Sequence, residues 1–457
     1  MGLPPISAFK TPRAAATAIL AMGGLAIAIV NFPGVLSYDS YVQLLEARSE
    51  SYANWHPPVM SWMLGLSDAL RPGAAYFVLF DTTLAFAALV SLFWLARRVI
   101  WIGVAAAAIA VFLPQLFLLQ AEVLKDVLFA DATLAGFVCL AHAAQHWPIH
   151  RLRFTLLGAC AVFLALAALT RQNGAVVVPC AAVGLAILAW RIENNWRLAV
   201  SYGAGLLAGI AVLAFAANAA LETRWDGTPS QENQFKILET YDLTGMTKRN
   251  PAVLGLVQTD IPGLARVIGD EGLRLWSPAK NDTLEDSPRL VAAQDATSAA
   301  ALRQTWLSAM MHYPGTYLAV RAELFRWVFQ PPDVGQCHPY MVGESGDPDD
   351  LKELGMKPRY DRRDAMLNAY GKAFVGTPVF SHAAFALLGA IAFVLMLRRR
   401  RPADLAFASM IAAAFLFAAT FFVISIACDY RYLYVLELSA LAAALYLLAD
   451  PPMKKGA

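Results

Sequence analysis

Polar side chains that could do chemistry collect in four short segments, each of which follows an apolar stretch of the chain. The four sets are Asp39 and His56; Glu122, Lys125 and Asp126; Arg171, Gln172 and Asn173; and Asp429 and Arg431. Ionisable residues beside such stretches are costly to keep at a membrane, so each is a candidate for function. Carboxylates accept protons, and lysine and arginine hold anions, so the set predicts a site that does both.

One reaction needs this combination at a membrane surface. A polyprenyl-phosphate sugar places its phosphate at headgroup level, where Lys125, Arg171 and Arg431 are suited to hold it and to stabilise it as it leaves. Asp39 would take the proton of an acceptor hydroxyl that attacks the anomeric carbon, a step worth roughly 10²- to 10⁴-fold. A single displacement of this kind inverts the anomeric configuration. No GxGxxG or P-loop is present, which fits a sugar that arrives on a lipid.

Each of these residues also has a structural interpretation. Asp39 could cap a helix over Ser40 to Ala47, because Asp is a favoured N-cap. The other residues could form local ion pairs, snorkel to the headgroups, end a helix or lie in a turn. Their occurrence on one predicted face of the membrane favours a shared site over these separate roles.

The elements that must position these residues are membrane helices. The chain has 457 residues, 58% of them hydrophobic and 15% charged, with a mean hydropathy of +0.51, which is outside the range of a soluble domain. About ten apolar stretches are long enough to cross a hydrocarbon core of roughly 30 Å. They lie near Ala14–Phe32, Ala74–Ala96, Val99–Leu119, Val127–Ala144, Phe154–Leu169, Gly174–Trp190, Leu198–Leu221, Pro378–Leu397, Ala403–Ala427 and Tyr432–Ala449. The predicted fold is therefore an all-α polytopic membrane protein, with Pro57–Leu70 as a shorter interfacial helix.

Basic residues give the orientation, because short cytoplasmic loops collect Lys and Arg. Those that share one side are Lys10, Arg13, Arg97, Arg98, Arg151, Arg153, Arg191, Arg197, Arg398 to Arg401, Lys454 and Lys455. Both termini are then cytoplasmic, and the predicted location is the bacterial cytoplasmic (inner) membrane. We expect a transmembrane module over 1–221 with its catalytic first external loop at 33–73, an extracytoplasmic α or α/β domain over 222–376, and a second transmembrane module over 377–457.

The external domain contributes one further candidate. Arg321 lies with Arg326 in the amphipathic stretch YLAVRAELFRWVFQ, which could lie on the membrane rim and add to the phosphate site, or could be a solvated helix face. The predicted substrate-binding residues are His56, Lys125, Arg171, Gln172, Asn173, Arg321, Asp429 and Arg431. The net charge of +2, with no basic patch interleaved with aromatics, predicts no nucleic-acid partner.

Several short motifs add up to a familiar arrangement. The segments YDSYVQ, WHPP, LKDVLF, TRQNG and DYRYLY, with the later external domain, resemble the GT-C superfamily of integral-membrane glycosyltransferases. The resemblance is closest to the bacterial branch similar to protein O-mannosyltransferases and the lipid A aminoarabinose transferase. It implies that Asp39 is the catalytic base and that a second-loop acid, either Glu122 or Asp126, takes part. Many members have adjacent Asp-Glu in the first loop, whereas here Ser40 follows Asp39.

Cofactors, partners and rival functions follow from the same resemblance and residues. No cofactor is required, but some relatives bind a divalent metal through a second-loop acid and a histidine, for which Glu122 with His56 or His338 are candidates. The expected partners are a polyprenyl-phosphate-linked sugar, membrane lipids, and a glycan, lipid or protein acceptor. The alternatives are a transporter or flippase of a lipid-linked or anionic solute, and an O-antigen ligase or polymerase. The sequence does not decide whether Cys337 or Cys428 forms a disulfide. It also leaves undecided the identity of the sugar, the identity of the acceptor and the oligomeric state.

Overall fold

A computed structural model describes residues 11–53, 55–222, 225 and 230–451. Within them the regular structure is helical, and backbone pairing between segments is limited to isolated bridges. The helices are α1 (Pro12–Val30), α2 (Tyr38–Ser49), α3 (Pro58–Leu70), α4 (Ala75–Leu95), α5 (Trp101–Val111), α6 (Pro114–Phe117), α7 (Lys125–Gln145), α8 (His150–Thr170), α9 (Val177–Glu193), α10 (Trp196–Glu222), α11 (Ser230–Arg249), α12 (Ala252–Asp260), α13 (Pro262–Val267), α14 (Leu273–Leu275), α15 (Asp282–Glu285), α16 (Pro288–Ala296), α17 (Ala299–His312), α18 (Pro314–Phe329), α19 (Pro348–Glu353), α20 (Arg362–Lys372), α21 (His382–Arg399), α22 (Pro402–Ile424) and α23 (Tyr434–Ala449).

The all-α membrane fold is confirmed. In the described part of the chain, 9 helices are long and apolar enough to cross a membrane, or 10 if one bent pair is counted as a span. The predicted interfacial helix is also present as α3. Its position at the membrane surface stays a prediction, as do the domain boundaries.

The predicted span Val99–Leu119 is not one straight helix. It consists of α5 and a second segment, Pro114–Ala121, that is bent by 56° relative to α5. Pro114 explains the break, because proline has no N–H for the helical ladder and forces the preceding residue out of the helical region. Leu113 is accordingly extended, with φ −74° and ψ 139°. The bend directs the chain into the polar segment that carries Glu122 and Lys125.

Two helices lie at the centre of the bundle. In an 18-residue apolar window of each span, 89% of the residues are buried in Lys125–Gln145 and 83% in Tyr430–Ala449. The corresponding share in Trp196–Leu221 is only 17%, so this helix lies at the periphery. Lys125 and Asp126 begin the first central span and Arg431 begins the second. The predicted site residues therefore stand at the ends of the two most enclosed helices.

The opposite end of the bundle is closed by arginine pairs. The Arg399 guanidinium hydrogen-bonds both carboxylate oxygens of Asp404, and Arg401 pairs with Asp450. Asp450 ends α23, about 30 Å along the helix from Arg431 at a rise of 1.5 Å per residue. These arginines belong to the set that was predicted to be cytoplasmic. Lys10, Lys454 and Lys455 lie outside the described residues.

The region between α10 and α21 has an apolar core of its own. Tyr241, Met246, Trp276, Leu302 and Val320 are all buried in it. Of the predicted α and α/β alternatives for this region, the helical one is observed, and α17 and α18 are separated at Pro314. A disulfide joins Cys337 of this region to Cys428, just before α23. It settles the question that the sequence left open.

Candidate active site

The first and second polar segments are held together by their backbones. Val35 N–H donates to the Ala121 carbonyl at 3.0 Å, and Val123 N–H donates to the Val35 carbonyl at 2.9 Å. The Ser40 hydroxyl donates to the Val123 carbonyl at 2.6 Å. These contacts fix the start of α2, and Asp39 with it, beside the start of α7.

Asp39 does not cap a helix. The N-cap of α2 is Ser37, whose N–H donates to the Ser40 hydroxyl at 3.1 Å, and Asp39 lies in the first turn of the helix. The capping interpretation of Asp39 is therefore wrong, because Ser37 and Ser40 already form the cap. The carboxylate is instead directed at Arg431, with Arg431 Nη2 2.8 Å from Asp39 Oδ2.

Arg431 is the common partner of three carboxylates. Besides Asp39, its Nη2 lies 3.0 Å from Asp429 Oδ2 and its Nε lies 3.9 Å from Asp126 Oδ2. Asp126 also pairs with Arg171. The four polar segments of the sequence thus converge on one cluster, which we call the arginine cluster: Asp39, Asp126, Arg171, Asp429 and Arg431.

Lys125 and His56 complete this cluster on one side. Lys125 Nζ lies 2.7 Å from His56 Nδ1, and no carboxylate of the described residues lies within ion-pair distance of this ammonium. Burial lowers the pKa of His56 to about 3, with a further contribution from the charge of Lys125. The imidazole is therefore neutral at physiological pH, and its Nδ1 accepts a hydrogen bond from Lys125. Among the described residues, Lys125 thus has no carboxylate partner, whereas Arg171 and Arg431 each have one or more.

The charges around Asp39 govern its protonation. Burial alone would raise the pKa of this carboxyl, but the positive charges of Arg431 and Lys125 outweigh burial and hold the pKa well below its usual range. Asp39 is thus ionised at every physiological pH. Its side chain keeps 23% of its surface exposed, compared with 1% for Asp126. Of these two carboxylates, only Asp39 can be reached from outside.

Hydrogen bonds and an aromatic ring hold the third polar segment, Arg171 to Asn173, in place. Arg171 Nε donates to Asn173 Oδ1 at 3.3 Å, and Asn173 Nδ2 donates to the Thr420 hydroxyl at 2.8 Å. The Tyr432 ring lies against both arginines, at 5.4 Å from the Arg171 guanidinium and 5.7 Å from that of Arg431. Gln172 faces away and donates to the Trp55 carbonyl at 3.4 Å.

Glu122 stands apart from the arginine cluster. Its Oε1 accepts a hydrogen bond from the Met341 N–H at 2.7 Å. Burial raises the pKa of this carboxyl to about 8, although the Met341 hydrogen bond opposes the rise. Glu122 therefore joins the second polar segment to the region between α10 and α21 as a neutral acid. Among the residues that the structure describes, no group of three or more His, Cys, Asp or Glu side chains could hold a metal ion.

The structure does not bring Arg321 into this cluster. Its guanidinium is fully buried, pairs with Asp242 and donates to the Ser425 carbonyl at 2.9 Å. The amphipathic pattern of its helix reflects packing in the region between α10 and α21. Arg326, the other cation of that stretch, is exposed.

Two buried polar groups were missed by the sequence analysis. Gln120 Nε2 donates to Asp131 Oδ2 at 2.5 Å, and the Tyr434 hydroxyl donates to Gln120 Oε1 at 3.0 Å; Asp81 lies on the facing helix α4 and is 1% exposed. His382 and Tyr430 both hydrogen-bond Glu437. Acids inside apolar spans were the available signal, because such residues are rare in membrane helices.

Comparison with known proteins gives matches in structure only. A scan against family models finds no match, and a search of curated proteins finds no significant one. An Archaeoglobus fulgidus oligosaccharyltransferase in complex with Zn and sulfate is 14% identical over 94% of this chain and 48% of its own, with a TM-score of 0.44. The archaeal oligosaccharyltransferase AglB from the same organism, in complex with an inhibitory peptide and a dolichol-phosphate, is 13% identical over 94% and 50%, with a TM-score of 0.42. A third structure, tethered with an acceptor peptide, is 13% identical over 96% and 50%, with a TM-score of 0.44.

The chain therefore spans about half the length of these structures. Their bound molecules are properties of those proteins. At such identities, the function of this chain has to be inferred from its own residues.

Proposed function

We propose that this chain is a GT-C glycosyltransferase that moves a sugar from a polyprenyl-phosphate donor to an acceptor on the external face of the cytoplasmic membrane, with inversion. One observation carries the proposal. Asp39, Lys125, Arg171 and Arg431 come from four separate segments and meet at the ends of the central helices. A purely anchoring role would not need such convergence.

Lys125 is the natural first contact for the donor phosphate. It is hydrogen-bonded to a neutral imidazole, so an incoming anion could pair with it without displacing a carboxylate. Arg431 presents Nη1 without a hydrogen-bond partner, and a guanidinium suits a phosphate because it can donate two parallel hydrogen bonds. Arg171 lies behind it against Asp126. The three cations would neutralise the phosphate as it departs from the anomeric carbon.

Donor binding would also activate Asp39. In the free protein Arg431 holds the carboxylate at 2.8 Å and lowers its pKa. A phosphate that draws Arg431 toward itself weakens this interaction, so the pKa of Asp39 rises toward the range of an effective base. Asp39 would then take the proton of the acceptor hydroxyl while the phosphate leaves. Glu122 is a poorer base because it is already protonated and bonded to Met341.

The external location has two supports. The disulfide between Cys337 and Cys428 is typical of an oxidising compartment such as the bacterial periplasm. The arginines at the other end of the bundle follow the rule that positive charge collects in the cytoplasm. The cluster and the region between α10 and α21 would then both face the periplasm. Lys125, Arg171 and Arg431 supply charge to the leaving phosphate, and we assign no metal.

The transporter alternative would require charged groups near the middle of the membrane. The buried acids Asp81 and Asp131 each follow the first residue of their helix by six positions, about 9 Å of helix at 1.5 Å per residue. A hydrocarbon core is about 30 Å thick. These acids therefore extend the site at one end of the bundle and do not form a path through it.

The proposal is tested by reconstituting the full chain in vesicles with polyprenyl-phosphate hexoses and pentoses and with envelope extract as the acceptor source. We expect release of polyprenyl phosphate with one donor, together with transfer of its sugar to a product of inverted anomeric configuration by NMR. Retention of configuration would contradict single displacement. Movement of the intact donor across the vesicle membrane without cleavage would favour a flippase.

A further inference from the structure

A cavity of about 310 Å³ lies between Trp55 of the first polar segment and helices of the region between α10 and α21. Its volume is at the lower end of the range of about 300 to 1,000 Å³ that is typical of small-molecule sites. The lining residues that bear on its chemistry are Trp55, Thr240, Asn281, Glu285, Gln294 and Asp295. Space for one or two sugar rings is therefore available here.

Two lining residues of this cavity, Trp55 and Asn281, are connected to segments that lead to the proposed site. On one side Trp55 precedes His56, the hydrogen-bond partner of Lys125, and the Trp55 carbonyl accepts from Gln234 Nε2 at 2.5 Å. On the other side the Asn281 N–H donates to the Ile426 carbonyl at 2.8 Å. That segment leads through the disulfide-bonded Cys428 to Asp429 and Arg431. A molecule in the cavity would thus lie between the segment that contains His56 and the segment that leads to Arg431.

The lining has the chemistry of a saccharide site. Trp55 is 37% exposed and offers an aromatic surface, on which the apolar face of a pyranose ring can stack, with a polar N–H beside it. Thr240 is 1% exposed, and its hydroxyl has no hydrogen-bond partner, although buried hydroxyls are normally paired. Asn281 Nδ2 donates to Glu285 Oε1 at 2.9 Å, which orients an amide and a carboxylate together. Such groups match the alternating donors and acceptors of sugar hydroxyls.

The charge of the lining narrows the ligand class. Glu285 and Asp295 are carboxylates, and the described residues that line the cavity include no lysine or arginine. A phosphorylated or uronic-acid ligand would meet like charge here. None of the lining residues belongs to a candidate membrane span, so the cavity does not suit the lipid tail of the donor.

We infer that this cavity binds the terminal sugar of a neutral glycan acceptor. The inference rests on the proposed function, and the cavity is connected to the proposed site through Trp55, which precedes His56, and through Asn281, which is bonded to the segment that leads to Arg431. The orphaned Thr240 hydroxyl, the Trp55 surface and the Gln294 amide are the groups that recognise it.

Saturation-transfer NMR on the full chain in nanodiscs tests this inference without needing turnover. The probes are glucose, galactose, mannose, N-acetylglucosamine, the β-1,4-linked disaccharides of glucose and of N-acetylglucosamine, and glucuronate as an anionic comparison. We expect at least one neutral probe to bind and glucuronate to bind more weakly. Trp55→Ala and Gln294→Ala should weaken that binding at least tenfold, and Thr240→Val, which keeps the side-chain shape, should weaken it several-fold.

The matched control is Gln258→Ala, which removes an exposed glutamine of α12 and should leave saccharide binding unchanged. Binding of polyprenyl phosphate is measured in parallel with the parent and with Lys125→Ala. If the parent binds polyprenyl phosphate through Lys125 but binds no neutral saccharide probe, the cavity inference is overturned and the proposed function stands. The same conclusion follows if the cavity variants bind the saccharide probe as tightly as the parent does. If saccharide binding depends on the cavity while polyprenyl phosphate binding ignores Lys125, the site is supported but the phosphate role in the proposed function fails.

Discussion

The two ends of the helix bundle both place arginines beside carboxylates, yet they use them differently. At one end the nitrogens of Arg399 are all engaged, by Asp404 and by the Asp450 carbonyl. At the other end Arg431 is shared among three carboxylates from three segments and keeps Nη1 unpartnered. A saturated pair stabilises the ends of helices. A shared cation can change partners when an anion arrives, which is what a binding site requires.

The largest expected effect concerns which end faces outward. In a parent whose free cysteines Cys139, Cys160 and Cys180 are replaced by Ala, a membrane-impermeant thiol reagent applied from outside should label Gln304→Cys and should not label Arg400→Cys. Both positions are exposed in the structure, so accessibility differs only through the membrane. Labelling of Arg400→Cys alone would show that the orientation is the reverse of the predicted one. Labelling of both variants in sealed cells would contradict the predicted orientation.

The next largest effect separates the two sets of cations. Hydrogen bonds to charged groups contribute about 1.5 to 3 kcal/mol, so Lys125→Ala and Arg431→Ala should each weaken donor-lipid binding by roughly tenfold to a hundredfold. Arg151→Ala removes an exposed arginine near the opposite end and is the control. Binding would be measured by native mass spectrometry or by a fluorescent polyprenyl phosphate. Equal donor binding by all three variants would show that Lys125 and Arg431 only anchor the protein at the membrane surface.

The disulfide should matter for both stability and the site. Cys337 and Cys428 are 91 residues apart, and loss of a native disulfide that closes such a loop costs roughly 2 to 5 kcal/mol. The double change Cys337→Ser and Cys428→Ser should therefore lower the thermal midpoint. It should also weaken donor binding a few-fold, because it releases the segment that carries Arg431. A variant with an unchanged midpoint would show that the Arg321 and Asn281 contacts hold this segment without it.

The fourth effect is a pH dependence that belongs to Glu122. Burial raises its pKa from 4.5 to about 8, so the folded protein binds a proton that the unfolded chain has released. Stability from this group is complete below about pH 4.5 and is lost as pH rises to about 8. Glu122→Gln keeps the acceptor for Met341 and removes the titration. Its thermal midpoint should match the parent at pH 5 and exceed it at pH 8.5, and a constant difference between the two pH values would contradict this account.

The sequence predicted the spans and the polar segments well because both depend on local composition. An apolar run of sufficient length has few alternatives to a membrane helix, and Asp39, Lys125, Arg171 and Arg431 were visible as ionisable residues at the edges of such runs. That the polar segments would meet was an inference from topology, and the structure brings them together through Arg431 and Arg171.

The remaining features depend on contacts between distant residues, which composition does not record. The local sequence places Arg321 in an amphipathic helix, but its ion-pair partner Asp242 lies 79 positions away in the chain. Asp39 was a plausible N-cap until Ser37 and Ser40 were seen to fill that role. Glu122 could be distinguished from the other acids only once Met341 was found beside it.

The central claim is that Asp39 is the base, and a pair of isosteric variants tests it most directly. Asp39→Asn and Asp429→Asn each remove one carboxylate from Arg431, and the two side chains are about equally exposed, at 23% and 24%, but only the first removes the carboxylate that we propose as the base. With donor binding near the parent value, turnover of Asp39→Asn should fall at least roughly 100-fold, and Asp429→Asn should lose less than about tenfold. Turnover of Asp39→Asn that equals or exceeds that of Asp429→Asn would contradict the assignment of Asp39 as the base.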